Sequence, residues 1–248
     1  MSIDRNNLAY WFPKLLAAKL PVPKTIILTM PVPAQECIFA GFDGNDGPEN
    51  AIAAYRAFAD TVRAAAAELG GAPVFLRTGH TSGKHEWART CYLADLALTE
   101  QHLFALAEHS ELCGLPGLPW DTWAVRELLP TVQYGVCPDY GGMPVAREFR
   151  CFVDGGVLRC AHPYWPLESL ADGGASPECM AAANRGASVV PRVVTDLARR
   201  AGAVLAGEWS VDILDTTRGW FITDCALAAE SFHWPDCINA RARETAAV

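Results

Sequence analysis

The sequence predicts an α+β protein, on the evidence of one long helical pattern and two hairpins. An apolar stripe at helical spacing runs from Glu49 to Leu69. Two later stretches each read as strand, tight turn and strand. The first runs from Val145 to His162 around Asp154-Gly-Gly156, and the second from Trp209 to Ala226 around Asp215 to Gly219.

Length, composition and charge set limits on the class of protein. The 248 residues suit one large domain or two or three small, closely packed ones, and a hydrophobic content of 51% allows a sizeable core. Neither a membrane span nor a secretory signal is expected, because no apolar run approaches about 18–20 residues and the first residues lack the signal pattern. A net charge of −8 argues against broad binding to long nucleic acid, although a local basic groove stays open.

The cysteines indicate a reduced, cytoplasmic protein. There are nine of them, an odd number, and no two form a Cys-x-x-Cys pair. A disulfide framework or a zinc site is therefore not expected.

The first third of the chain divides into clear elements. The first 20 residues show helical spacing, Pro23 to Thr29 reads as a strand, and Gly41 to Asn50 reads as a loop. The helix that follows ends at Gly70-Gly71.

The rest of the chain alternates between strands, helices and loops. Further strands are expected at residues 74–76, near 90–93 and at 123–130, and helices at 99–112 and 190–205. Residues 168–185 read as loop, and the tail from Asn239 as frayed.

The loop from Arg77 to Lys84 has the composition of an anion-binding site. Gly79 and Gly83 allow backbone N–H groups to converge, hydroxyls lie between them, and Arg77 and Lys84 flank them. The spacing fits neither the P-loop nor the dinucleotide pattern. The alternative is a surface loop with solvated cations.

The two hairpins carry the charged candidates. In the first, Glu148 and Arg150 share the face opposite the apolar positions, and they could form a plain ion pair. In the second, regular pairing puts Asp212 opposite Ile222 and Asp224 opposite Ser210. The two aspartates are then diagonal neighbours, roughly 7–8 Å apart, and could share a divalent cation or simply face solvent.

The order of these parts resembles the ATP-grasp superfamily, and most closely its phage- and bacteria-encoded clade named for two arginines and a lysine. The resemblance covers about 200 residues, from Pro23 to Trp234. It rests on these motifs: Phe75-Leu-Arg-Thr78, Thr81-Ser-Gly-Lys-His-Glu-Trp87, Val125-Arg-Glu127, Arg147-Glu-Phe-Arg-Cys-Phe152, His162-Pro-Tyr-Trp-Pro166, and Trp209-Ser-Val-Asp212 with Asp224-Cys-Ala226.

The resemblance implies two α+β subdomains that sandwich a nucleotide, preceded by a small N-terminal α/β region. The predicted segments are an N-terminal region (1–72), subdomain 1 from phosphate loop to hinge (73–127), subdomain 2 with the metal and phosphate site (128–240), and a tail (241–248).

The resemblance also implies roles for individual residues. Arg77, Thr78, Ser82, Gly83 and Lys84 would form the phosphate site, and Glu127 with Leu128 the hinge that contacts adenine. Glu148 would lie on the ribose or adenine side, Arg150 would meet the γ-phosphate, and Asp212 with Asp224 would hold Mg²⁺. Ala226 stands where these ligases usually have Asn, so either Glu230 or Ser231 replaces it or the metal site is reduced.

The implied activity is that of an ATP- and Mg²⁺-dependent carboxylate–amine ligase of the EC 6.3 type. It would form an acylphosphate that an amine attacks, with Arg150, Arg147 and Lys84 as the catalytic cations. His162, His233 and Glu230 would lie on the acceptor side. The acceptor could be a small molecule, a peptide or a modified macromolecule. The alternatives are an ATP-binding assembly chaperone without ligase chemistry, and a phosphotransferase acting on a hydroxyl or RNA.

Overall fold

The computed structural model describes residues 4–112, 119–235 and 237. The predicted tail, 241–248, lies outside these residues. Backbone contacts group the chain into two compact units. We call them the N-unit (Pro23–Leu129 and Pro138–Met143) and the C-unit (Met1–Val22, Pro130–Cys137 and Pro144–Val248).

The described residues of the N-unit form a four-stranded antiparallel sheet and three helices. The strands are β1 (Thr25–Thr29), β2 (Val74–Thr78), β3 (Tyr92–Leu93) and β4 (Thr122–Glu127), in the order β1-β4-β2-β3. The helices are α2 (Val32–Phe42), α3 (Glu49–Glu68) and α4 (Thr99–Leu112), and short 3-10 turns cover Lys84–Glu86, Leu96–Leu98 and Pro138–Tyr140.

One face of this sheet packs against an apolar core. Leu76 and Val125 are buried there with Trp123, against Phe58 of α3 and Leu106 of α4. Alternation along β2 and β4 sends every second side chain into this core, so the residues between them lie on the opposite face.

The C-unit is built on a second four-stranded antiparallel sheet, ordered β10-β9-β7-β8. Its strands are β7 (Glu148–Asp154), β8 (Val157–Pro163), β9 (Glu208–Thr216) and β10 (Gly219–Leu227). The unit also contains helices α1 (Leu8–Ala17), α5 (Leu167–Asp172), α6 (Pro177–Ala187) and α7 (Arg192–Leu205), and a 3-10 turn at Ala228–Glu230. Two further strands, β5 (Gln133–Cys137) and β6 (Met143–Ala146), pair with each other.

The core of the C-unit lies on one face of its sheet. Phe149, Cys151 and Val153 of β7 are buried there, as are Val211 and Ile213 of β9. Helix α7 contacts β7 and β9. As the alternation predicted, Glu148 and Arg150 occupy the opposite face.

Several predicted elements need correction. Residues 168–185 are not a loop but contain most of α5 and α6, and Ser176 caps α6 by accepting a hydrogen bond from Cys179 N at 3.2 Å. The apolar run around Val145 is two strands, β6 and β7, separated at Arg147. Helix α2 occupies part of a stretch for which no helix was predicted.

The contacts also group the chain differently from the predicted segments. Residues 23–72 belong with the predicted subdomain 1, because β1 pairs along its whole length with β4. Residues 4–22 belong with the C-unit, where α1 contacts α7.

Candidate functional site

In the N-unit, hydroxyl groups hold the phosphate-loop candidate in place. The Thr78 hydroxyl at the end of β2 accepts a hydrogen bond from Thr81 N at 3.0 Å, and it lies 2.9 Å from the Thr81 hydroxyl. The Thr81 hydroxyl in turn lies 2.7 Å from the Ser110 hydroxyl on α4. Thr81, in the middle of the loop, is therefore connected both to the end of β2 and to α4.

Gly83 has a conformation and surroundings that require glycine. Its φ is +62°, and its carbonyl accepts a hydrogen bond from the Thr90 hydroxyl at 2.6 Å. A Cβ added here would lie 2.9 Å from that hydroxyl oxygen. Lys84 follows directly, half-buried, as the first residue of the 3-10 turn, and half-buried Ser82 precedes Gly83.

A pair of buried arginines lies on the non-core face of the N-unit sheet. Arg77 pairs with Ala124, and Phe75 pairs with Arg126, so the two guanidinium-bearing residues share one face. Both are at most 3% exposed, and the Nε of Arg77 donates to the carbonyl of Thr78 at 3.0 Å. Arg126 stood in the Val125-Arg-Glu127 motif but was not predicted to be a site residue. Alternation along the strand puts Arg126 on the face opposite buried Val125, and this was the signal that could have identified it.

The predicted hinge residues lie at the end of a strand. β4 ends at Glu127, whose Oε1 accepts a hydrogen bond from Lys24 N at 2.8 Å, and Leu128 follows half-buried. The backbone and side chain of Glu127 both contact Lys24, because Glu127 N also donates to the Lys24 carbonyl at 2.9 Å.

In the C-unit, three charged residues lie side by side on neighbouring strands. Arg150 pairs with Asp212 across β7 and β9, and Asp212 pairs with Asp224 across β9 and β10. The predicted register was therefore wrong. The turn closes with Thr216 opposite Gly219, one residue away from the predicted pairing of Asp215 with Gly219, and an irregularity between Ile222 and Asp224 adds a second shift of one residue, so Asp224 lies opposite Asp212. We call Arg150, Asp212 and Asp224 the charged row.

Arg150 and Asp212 form a bidentate ion pair in the charged row. Arg150 Nε and Nη2 each lie 2.8 Å from one Asp212 carboxylate oxygen, and the Asp212 side chain is 4% exposed. Burial by itself would lower the pKa of Arg150. The negative charge of Asp212 and its hydrogen bonds have a larger, opposite effect, so the pKa of Arg150 is raised. The guanidinium carbon of Arg150, Cζ, also lies over the Tyr164 ring, 4.7 Å from its centre.

Glu148 and Arg147 line a pocket formed entirely by C-unit residues. Glu148 is 7% exposed, and its Oε1 accepts a hydrogen bond from the Thr223 hydroxyl at 3.1 Å. The Cζ atom of Arg147 lies over the Trp220 ring, 5.4 Å from its centre. The Arg147 Nε is buried with no hydrogen-bond partner among the described residues. Aromatic side chains form much of the remaining wall: Tyr134, Tyr164, Trp165 and Trp234.

The residues considered as replacements for an Asn at position 226 have other contacts. Glu230 is exposed, and its Oε2 accepts a hydrogen bond from Asn6 Nδ2 at 2.6 Å. The Ser231 hydroxyl lies 2.6 Å from the Ser210 hydroxyl. Neither contact involves the carboxylates of the charged row.

The two predicted acceptor-side histidines lie together. The ring centres of His162 and His233 are 4.8 Å apart, and His233 Nε2 lies 3.1 Å from Cys160 Sγ. Burial, followed by the nearby His233, lowers the pKa of His162 to about 4. Their proximity to each other and to two cysteines was not predicted.

The sequence of residues 68–211 matches a family of ATP-grasp domains, the third family of the clade named for two arginines and a lysine. This match spans more than half of the chain. The chain belongs to that family. The predicted clade and the α+β ATP-grasp fold are therefore confirmed. No curated protein matches the sequence.

The chain is similar to several solved structures. C-terminally truncated Cdc123 from Schizosaccharomyces pombe superposes with a TM-score of 0.53 at 17% identity, covering 90% of this chain and 83% of that one. A RimK domain ATP-grasp protein from Sphaerobacter thermophilus DSM 20745 gives a TM-score of 0.49 at 16% identity, covering 96% and 63%. The ATP-grasp ligase PsnB, in complex with a minimal precursor, Mg and ADP, gives a TM-score of 0.46 at 15% identity, covering 92% of this chain and 51% of that one. The chain thus spans less than two thirds of the length of the Sphaerobacter protein and of PsnB.

Among the described residues, none of the helices combines the length and the apolar character that crossing a bilayer requires.

Proposed function

We propose that this ATP-grasp protein is an ATP- and Mg²⁺-dependent ligase that activates a carboxylate as an acylphosphate and joins it to an amine. The observation that carries the proposal is the charged row. A guanidinium and two carboxylates lie side by side there, and phosphoryl transfer needs both a cation for phosphate oxygens and oxygen ligands for a divalent metal.

The residues present fit a magnesium ion. Asp212 and Asp224 are direct cross-strand neighbours and offer the hard oxygen ligands that Mg²⁺ prefers. A bound Mg²⁺ would neutralise part of the negative charge of the phosphates. The two bonds to Asp212 use two of the five N–H donors of Arg150, and in this proposal the other three contact phosphate oxygens.

The proposal also assigns roles to candidate residues of the N-unit. Lys84 adds a positive charge, and the positive φ of Gly83 lets the loop backbone turn so that its N–H groups can face an anion. Arg77 adds a second, buried positive charge at the end of β2. Glu127 and Leu128 are proposed to contact adenine, and Glu148 the ribose or adenine side.

The proposed reaction has two steps. An acceptor carboxylate oxygen attacks the γ-phosphorus, the bond from that phosphorus to the bridging oxygen breaks, and ADP leaves. The amine then attacks the acyl carbon, the C–O bond to phosphate breaks, and phosphate and a proton are released. Arg150 and Arg147 stabilise the negative charge on the acylphosphate. The Nε of Arg147 is a buried donor without a hydrogen-bond partner in the described part of the chain, and an anionic group would satisfy it.

The test is to combine calorimetry with a product assay on the full chain. We expect ATP to bind more tightly with Mg²⁺ than without it, and Asp224→Asn to lose that difference while still binding ATP. Candidate carboxylates and amines are then screened for acceptor-dependent ADP release. A ligase product carries no phosphate, whereas transfer of radiolabel from γ-labelled ATP to the product would identify a phosphotransferase instead.

Ala226 favours a second candidate, an ATP-binding assembly chaperone. A methyl group cannot ligate a metal, so the charged row has fewer metal ligands than the usual ligase set. Binding of ATP without acceptor-dependent ADP release for any carboxylate and amine tested would favour this candidate. Failure to bind ATP at millimolar concentration would overturn both.

A further inference from the structure

Two cysteines and two histidines of the C-unit bring their ligand atoms to one point. They are Cys160, His162, His233 and Cys237, and one ligand atom from each lies within 4.8 Å of all the others. Cys160 and His162 alternate along β8 and project from the same face of the sheet. His233 and Cys237 follow the 3-10 turn Ala228–Glu230 in the chain. We call these four residues the Cys–His cluster.

The donor atoms match those of structural zinc sites. Two sulfurs and two imidazole nitrogens form the Cys₂His₂ set, with Zn–S near 2.3 Å and Zn–N near 2.0–2.1 Å, so tetrahedral geometry puts the donors roughly 3.3–3.8 Å apart. Cys160 Sγ and His233 Nε2, at 3.1 Å, are already close to that separation. The separations of the remaining donors are at most 4.8 Å, so they exceed that range by no more than about 1.5 Å.

A second observation points independently to a missing ligand. His162 is only 9% exposed, and its Nε2 is buried with no hydrogen-bond partner among the described residues. A buried polar nitrogen without a partner costs free energy. A metal ion bound at this nitrogen would remove that cost.

The surroundings suit a metal centre without net charge. The Phe152 ring lies 4.2 Å from the His233 ring and 6.0 Å from the His162 ring, and Trp234 stacks on His162 at 6.0 Å. Two thiolates cancel the charge of Zn²⁺, so the loaded centre carries no net charge into this aromatic setting. His233 Nδ1 lies 3.3 Å from the Trp234 carbonyl, a contact that would direct the Nε2 lone pair towards the metal.

We propose that the Cys–His cluster binds a structural Zn²⁺ ion that fastens the part of the chain carrying His233 and Cys237 to β8. The consequence reaches the pocket beside Glu148. Trp234 lies between two of the proposed ligands in sequence and lines that pocket, so the metal would fix one wall of it. His162 is also the cross-strand neighbour of Arg150, which connects the metal centre to the charged row. Zinc binding does not depend on the proposed ligase activity.

Metal analysis of the purified full chain tests the proposal. After dialysis against a small excess of Zn²⁺ and then metal-free buffer, we expect one zinc per chain. Cys237→Ser and Cys160→Ser should each weaken zinc binding by a factor on the order of 100, as expected when one of four ligands is lost. Cys37→Ser, a half-buried cysteine of the N-unit, is the matched control and should keep full occupancy.

Cobalt substitution reads the ligands in the wild-type chain, so the test does not depend on variants that fold. Co²⁺ in the cluster should show the visible bands of a tetrahedral site and thiolate-to-cobalt charge transfer in the near ultraviolet, and zinc should displace it. The proposal is overturned if the wild type retains no zinc, if octahedral cobalt bands appear, or if thiol counting without reductant shows a Cys160–Cys237 disulfide in place of two metal-bound thiolates.

Discussion

The two units present charge from sheets of the same size but position it in different ways. In the N-unit, the loop from Gly79 to Lys84 depends on backbone conformation at Gly83 and on hydroxyl contacts. In the C-unit, the charged row depends on strand register, and its side chains hold each other. Changes in the row should therefore cost stability, whereas in the loop they should cost stability only where they disturb the backbone.

The largest effect is expected at the buried ion pair. Asp212→Asn removes the charge that Arg150 contacts through two hydrogen bonds and leaves a largely buried guanidinium without its counter-ion. We expect a loss of about 3 kcal/mol in the free energy of unfolding, measured by urea denaturation. Asp224→Asn, at the half-buried neighbouring position, should lose less than about 1 kcal/mol. Equal losses at the two positions would show that the row is not organised by the Arg150–Asp212 pair.

The second effect tests the backbone of the loop. Gly83→Ala requires a positive φ from an L-residue and places a Cβ against Thr90, so we expect a loss of about 2 kcal/mol, together with loss of ATP binding. Gly142→Ala is the control, because Gly142 also has a positive φ, of +77°, but nothing lies within 4 Å of an added Cβ. It should lose about 1 kcal/mol and bind ATP normally. Identical behaviour of both variants would mean that close packing against Thr90 is unimportant.

The third effect separates binding from stability within the loop. Lys84→Ala removes a half-buried cation without altering the strand, so the unfolding midpoint should stay unchanged while ATP affinity falls about tenfold, or roughly 1.4 kcal/mol. Calorimetry measures the affinity, and Lys19→Ala, which removes an exposed lysine of the C-unit, should leave it unchanged. Unaltered affinity in Lys84→Ala would remove Lys84 from the phosphate site.

The smallest effect tests the proposed metal site of the C-unit. Ala226→Asn restores an amide oxygen at the position where ATP-grasp ligases usually have Asn, and we expect Mg²⁺ affinity in the presence of ATP to rise about threefold. Ala229→Asn, at an exposed position of the neighbouring 3-10 turn, should have no effect. If Mg²⁺ affinity does not rise, residue 226 does not face the metal.

The sequence was most informative where one element could be read without reference to another. The α3 stripe and the two hairpins were predicted because periodicity and turn residues are local signals, whereas the strand predicted at 123–130 ends three residues earlier, at Glu127. Helix α6 was missed although Ser176-Pro-Glu178 is a local helix-start signal, and the nearby Gly173-Gly174 made the stretch resemble a loop.

The pairing register of β9 with β10 could not be predicted from the sequence. Counting residues back from Asp215 and Gly219 put Asp212 opposite Ile222, but the turn closes at Thr216 and Gly219, and the irregularity next to Thr223 adds one more residue, so Asp212 lies opposite Asp224. An extra residue in a strand leaves no mark in the alternation of apolar and polar residues until its partner strand is known. The pairing of Arg150 with Asp212 is a consequence of β7 lying beside β9, which are separated in the chain by β8 and three helices.

The sequence by itself therefore determined the family, the fold class and the residue types that a nucleotide and a metal would need. Tertiary structure alone decided which of those side chains are neighbours. The Cys–His cluster makes the difference plain: nine cysteines without a Cys-x-x-Cys pair argued against a zinc site, yet β8 and the residues after β10 bring two cysteines and two histidines together. The physical reason is that ligation and ion pairing depend on distances of a few ångströms between side chains, and those distances are set by how strands pair and chain segments pack.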